Sequence, residues 1–216
     1  MLQKITELKS GVKLRYTVSL PASYSPVDRY PLVMALHYGG RVTPFYGKGF
    51  LAALVQPALE GLEAVIVAPD CPGRGWTALV SEHSVLELLE HISEEFSVDR
   101  RRTLLLGYSM GGIGTWFISS RHSHLFSAAI AISALPDTRT TRVLRDVPMY
   151  VIHGAADEIF PVSAVQKFVE KQKAAGASIE LHVVEGLSHY QTPRFISALK
   201  AAIPWIQAVW ESKVRK

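Results

Sequence analysis

The chain has 216 residues, 48% apolar and 19% charged, with a formal net charge of +4. That is enough for one domain, 1–216, with a substantial core, and nothing in it suggests disorder. Cys71 is the only cysteine, which excludes an internal disulfide and a thiolate metal cluster. No apolar run approaches the ~18 residues of a membrane-spanning helix, and Met1 to Val12 has the pattern of neither a signal peptide nor an anchor. A cytoplasmic protein without a membrane span is the expectation. The basic surplus is scattered. Its one compact cluster, Arg100-Arg101-Arg102, has no aromatic or second basic stripe beside it. It reads as a solvated connection between a helix and a strand, not a nucleic-acid surface.

In chain order, Ile5 to Leu8 and Leu14 to Leu20 read as a hairpin across Lys9-Ser10-Gly11, the second arm placing Leu14, Tyr16, Val18 and Leu20 on one side. Pro21 to Pro26 reads as loop. Leu32 to Leu36 and Ala64 to Ala68 are continuous apolar runs, the pattern of strands covered on both faces. Glu82 to Phe96 has apolar residues at helical spacing (Val85, Leu88, Leu89, Ile92), with Ser81 in the position of an N-cap. Leu104 to Leu106, Ala128 to Ile132, Met149 to Ile152 and Ile179 to Val184 continue the strand series. Ile113 to Ser120 and Ser163 to Ala175 read as helices, the latter closed by Gly176. Pro193 to Val209 reads as a terminal helix bent at Pro204. Alternating strands and helices predict an α/β fold with a mostly parallel twisted sheet and helices on both faces.

The run Leu104-Leu105-Leu106-Gly107-Tyr108-Ser109-Met110-Gly111-Gly112 joins an apolar strand to a helical stretch through Gly-x-Ser-x-Gly. This order makes a nucleophile elbow, a sharp turn that lifts the serine hydroxyl clear of the sheet. Serine needs a base to accept its proton and an acid to orient that base. Both should follow Ser109 in the chain, each in a loop after a strand. Asp157, in His153-Gly154-Ala155-Ala156-Asp157, and His189, in Glu185-Gly186-Leu187-Ser188-His189, meet that demand. Glu158 and Asp137 compete for the acid, and Asp157 is preferred because Glu158 should point the other way. His83, His91, His122 and His124 read as surface residues, His153 as support near Asp157, and His182 as part of a strand. The backbone N–H of Met110 is one candidate oxyanion donor. Tyr38 or Gly39, in His37-Tyr38-Gly39-Gly40, is the other, with His37 as a scaffold for that loop. Trp76, in the loop after a strand end, and Tyr38 are candidate substrate contacts, each with the alternative of plugging the core. Cys71 reads as an inert small residue.

Together these residues resemble the α/β-hydrolase superfamily over nearly the whole chain. More narrowly, they are similar to the phospholipase/carboxylesterase and polyhydroxybutyrate-depolymerase-like serine esterases. Tyr16 to Gly40, Val98-Asp99-Arg100 leading into the elbow strand, and Asp157 with Pro161 carry the match. Such relatives usually show Leu-His-Gly where this chain has Leu36-His37-Tyr38. The resemblance implies hydrolysis of a small-molecule carboxylic ester through an acyl-serine, with Ser109 as nucleophile, His189 as base and Asp157 as its partner, and no metal or organic cofactor. Only Ala134 to Val147 separates Ser133 from Pro148, too little for a lid domain. An open site and short acyl chains are therefore expected. A thioesterase, a small serine peptidase, a perhydrolase and a non-catalytic binding protein are the rivals. Phe195, Leu199, Ile203, Ile206 and Trp210 read as the last helix packed on the sheet of a monomer, with a homodimer contact as the alternative.

Overall fold

A computed structural model describes residues 1–136 and 143–214. Its eight strands are β1 (Leu2–Glu7), β2 (Lys13–Ser19), β3 (Tyr30–Leu36), β4 (Val65–Pro69), β5 (Val98–Tyr108), β6 (Ala128–Ile132), β7 (Met149–Gly154) and β8 (Ile179–Val184). They form one sheet in the order β1-β2-β4-β3-β5-β6-β7-β8. β1 and β2 pair antiparallel, from Leu2 opposite Val18 to Glu7 opposite Lys13, and β2 pairs antiparallel with β4; all other pairs are parallel. The hairpin turns at Gly11, whose φ of +80° suits glycine.

Alternation along the strands divides the core into two layers. Met34, Leu36, Val67, Leu105, Ala131 and Val151 face one side. There they meet α3 (Leu79–Glu95), α4 (Met110–Arg121) and α5 (Val162–Ala174), through residues such as Leu88, Trp116 and Phe168. Val33, Ala35, Ile66, Leu106, Ile130 and Ile152 face the other. That side is covered by α1 (Tyr46–Phe50), α2 (Gln56–Leu59), α6 (Ile196–Ala201) and α7 (Ile203–Val214). Strands buried on both faces explain why β3, β4 and β6 read as unbroken apolar runs.

Four expectations are corrected. Helix α3 starts three residues earlier than Ser81 implies. Its N-cap is Ala78, and the buried Ser81 hydroxyl accepts the Gly73 N–H at 3.1 Å. Arg100-Arg101-Arg102 belongs to β5, where Asp99 accepts hydrogen bonds from Arg101 and Arg102 and so holds the charges together. The terminal helix is not one bent rod. A 3₁₀ turn, Thr192–Phe195, leads into α6, and α7 follows after a break at Ala202. Helical residues also occupy 46–62, where none were expected, with a π-helical stretch, Leu51–Val55, between α1 and α2.

Candidate active site

The parallel strands end along one edge of the sheet, and Tyr38, Trp76, Ser109, Asp157 and His189 all follow strand ends on that edge. Ser109 follows β5 with φ 54° and ψ −116°, a strained conformation for a residue with a side chain. It is possible here because the neighbours are glycines. A Cβ on Gly107 would lie 2.2 Å from the Gly111 carbonyl oxygen, and one on Gly111 would lie 1.8 Å from the Leu36 carbonyl oxygen. The elbow is thus pressed against β3, and α4 begins at the next residue with its N-terminus behind the serine.

The Ser109 Oγ lies 2.8 Å from His189 Nε2, and His189 Nδ1 lies 2.9 Å from Asp157 Oδ2. The structure therefore brings the three side chains into one row. Asp157 is fully enclosed. Its other oxygen, Oδ1, accepts the N–H groups of Ile159 and Phe160 at 3.0 and 2.8 Å. Burial opposes ionisation of this carboxyl, but the Phe160 amide, the His189 imidazole and the Ile159 amide outweigh it and hold the pKa below the ordinary aspartate value. An ionised Asp157 requires Nδ1–H on His189, which leaves the Nε2 lone pair for the serine proton.

Glu158 does not point away as expected. Its carboxylate accepts the backbone N–H of His189 at 2.9 Å and so pins the imidazole's own loop. Tyr108, inside the elbow motif, pins the same loop by donating its hydroxyl to the His189 carbonyl at 2.5 Å. Sequence reasoning gave neither residue this role, because both act through backbone atoms. Asp137 lies outside the described residues. His153 is buried and bonded through Nε2 to the Phe160 carbonyl at 2.7 Å, which makes it the support it was expected to be. Its pKa is lowered, burial being the main cause.

Gly39 and Met110 meet from two sides, with Tyr38 next to Gly39 in the loop after β3. A Cβ on Gly39 would lie 3.7 Å from Met110 Cβ. No hydrogen bond joins the N–H of Tyr38, Gly39 or Met110 to another described residue. Below them, Asp70 accepts the N–H groups of Phe45 and Gly47 at 2.8 and 3.2 Å and ties down the loop that follows Gly40. Tyr38 is partly open, with its ring edge-on to Tyr46 and Phe50. Trp76 is 1% exposed, which leaves almost no surface for a substrate. The expectation of substrate contact gives way there to the alternative of a core plug. Cys71 is buried, and burial raises its thiol pKa, in keeping with an unreactive thiol. Among the described residues no group of acids, histidines and cysteine is placed to hold a metal ion, and no helix is long and apolar enough to cross a membrane.

This sheet and elbow define the α/β-hydrolase fold. Residues 80–206 match the Phospholipase/Carboxylesterase family, and the chain belongs to it. It is similar to a bifunctional acetylxylan esterase/xylanase of Neocallimastix patriciarum, 25% identical over 41% of this chain and 13% of that protein. It is also similar to feruloyl esterase D of Neurospora crassa, 24% identical over 74% of this chain and 59% of that protein. The chain thus spans 13% and 59% of these two relatives' lengths. Among solved structures, a ferulic acid esterase superposes with a TM-score of 0.80 at 23% identity, covering 97% of each chain.

Proposed function

We propose that the protein is a serine carboxylesterase that hydrolyses short-chain esters through an acyl-serine, with Ser109, His189 and Asp157 as its catalytic triad. The observation that carries this reading is the continuous row from Ser109 Oγ through the two imidazole nitrogens to Asp157, at 2.8 and 2.9 Å. Ser109 attacks the ester carbonyl while His189 Nε2 takes its proton. The new imidazolium is held by Asp157, and the oxyanion by the N–H of Met110 with that of Tyr38 or Gly39. Collapse of the tetrahedral intermediate breaks the bond to the alcohol, which leaves with the proton from His189. Water then enters, gives its proton to His189, and repeats the cycle on the acyl-serine to release the acid. No cofactor takes part in any of these steps.

The short-chain preference is supported by the short connection between β6 and β7. Only 16 residues separate the end of β6 at Ile132 from the start of β7 at Met149, too few for a lid domain, and acyl groups up to roughly six carbons suit a pocket of modest size. The names of the relatives add acetyl and feruloyl esters to the substrates worth testing. The lone buried cysteine fits a cytoplasmic setting. A panel of p-nitrophenyl acetate, butyrate and palmitate, a feruloyl ester, a butyryl thioester and an aminoacyl amide, each with Ser109→Ala as control, tests the reading. Turnover of acetate and butyrate that falls to background in Ser109→Ala is expected. Faster turnover of palmitate would overturn the chain-length claim. Preference for the thioester or the amide would overturn the assignment in favour of a thioesterase or a peptidase.

A further inference from the structure

Two consecutive carbonyls of the loop after β3 are bonded from inside the protein. The indole Nε1–H of Trp76 donates to the His37 carbonyl at 2.9 Å. The His37 imidazole bonds through Nδ1 to the carbonyl of Tyr38 at 2.7 Å. The tautomer follows from the remaining contact: His37 Nε2 accepts the backbone N–H of Cys71 at 3.0 Å, so the ring proton sits on Nδ1 and is donated. The two rings also meet edge to face, with centroids 5.1 Å apart, and both are buried. Trp76 further abuts the nucleophile's own helix, since a Cβ on Gly114 would lie 2.2 Å from Trp76 Cβ.

In a planar trans peptide the C=O and N–H point in opposite directions. Fixing the His37 carbonyl therefore fixes the direction of the Tyr38 N–H. Fixing the Tyr38 carbonyl does the same for the Gly39 N–H. These are the two N–H groups that the loop after β3 offers as the second oxyanion donor, and Gly39 packs against Met110. We propose that Trp76 and His37 are positioning residues that aim the Tyr38 and Gly39 amides, the two candidates for the second oxyanion donor, with Trp76 linking that aim to helix α4. This inference rests on the esterase reading above and deepens it. It gives the buried indole a task at the transition state without contact with substrate. Such a device stabilises charge that develops only in the transition state, so its loss should appear in kcat and leave KM nearly unchanged.

Trp76→Phe keeps an aromatic ring near Gly114 and removes the indole N–H together with part of the fused ring, a packing loss that a thermal melt reports separately from kcat. Kinetics on p-nitrophenyl butyrate should show kcat lowered about 10-fold or more, short of the roughly 100- to 1000-fold loss of a whole oxyanion donor. A trifluoromethyl ketone, whose adduct with Ser109 carries an oxyanion, should bind more weakly by the same factor as kcat/KM falls. A butyramide that binds without reacting should bind as in the wild type. His37→Leu should lose a comparable factor, and His37→Asn, which keeps a donor for the Tyr38 carbonyl, should recover most of it; this pair carries the test if Trp76→Phe does not fold. Wild-type kcat in Trp76→Phe, a loss seen mainly in KM, or no rescue by His37→Asn would overturn the inference alone. A wild-type protein that turns over no ester would instead overturn the esterase reading beneath it.

Discussion

Asp157→Asn is the most informative single substitution, because the structure dictates how the new amide must sit. Oδ1 of Asp157 accepts two backbone N–H groups, from Ile159 and Phe160, and Oδ2 accepts from His189. An asparagine has one oxygen and one NH₂. The two backbone donors require the oxygen on their side, since an NH₂ there would face two N–H groups in a buried site. The NH₂ is then driven against His189 Nδ1, which must become an acceptor. The ring proton moves to Nε2, and the nitrogen 2.8 Å from Ser109 can no longer take the serine proton. The geometry survives and the tautomer is wrong. A loss of about 10⁴-fold in kcat is expected, as for the same change in a serine-protease triad, or about 5.5 kcal/mol of transition-state stabilisation. Stopped assays with p-nitrophenyl butyrate would read kcat, and a thermal melt would show that the variant stays folded. A folded Asp157→Asn enzyme that keeps more than about a tenth of wild-type kcat would refute this reasoning, since the tautomer effect would then be worth less than about 1.4 kcal/mol.

Two further outcomes follow from the packing and the buried charges. Gly111→Ala should abolish soluble, active protein, because its Cβ would meet backbone oxygen at 1.8 Å and backbone cannot move aside as a side chain can. Gly49→Ala, where nothing lies within 4 Å of the added carbon, should express and melt like the wild type. Stability to urea should fall as the pH drops below about 6.5. Burial lowers the pKa of both His37 and His153 in the fold, so between the ordinary and the lowered values the unfolded chain binds protons the folded one does not. Each such histidine contributes a slope of up to about 1.4 kcal/mol per pH unit, stability rising with pH. The depressed pKa of Asp157 adds a further loss with the same sign below about pH 4. Urea midpoints that do not change between pH 8 and pH 5.5 would contradict this account of the two histidines.

The sheet was legible wherever burial on both faces left an unbroken apolar run. Ala128–Ile132 and Ile179–Val184 have the bounds the sequence implies, and β3, β4 and β7 differ only at their ends. The helical stretch at 46–62 was hidden for a physical reason. Gly47, Gly49 and Pro57 weaken helix propensity, and the π-helical stretch at Leu51–Val55 shifts the apolar residues off a 3.6-residue period. The basic start of β5 was taken for a connection because Arg100 to Arg102 lack alternation. In the structure they lie within β5 between the Val98 and Thr103 pairings with β3, and Asp99 pairs with Arg101 and Arg102. At the site, Ser109, Asp157 and His189 could be found because a side chain's chemistry is written in its identity. Tyr108, Glu158, Asp70 and Trp76 act on backbone N–H or C=O groups. Residue type alone does not say which peptide a side chain will reach.

The account's central claim is a covalent bond between Ser109 and the acyl group of its substrate. Quenching the enzyme in acid during turnover of p-nitrophenyl butyrate, followed by peptide mass spectrometry, tests it most directly. A butyryl group on the peptide containing Ser109, absent from Ser109→Ala, is the predicted result. Steady ester hydrolysis with no acyl group on that peptide, or one carried by a different residue, would contradict it.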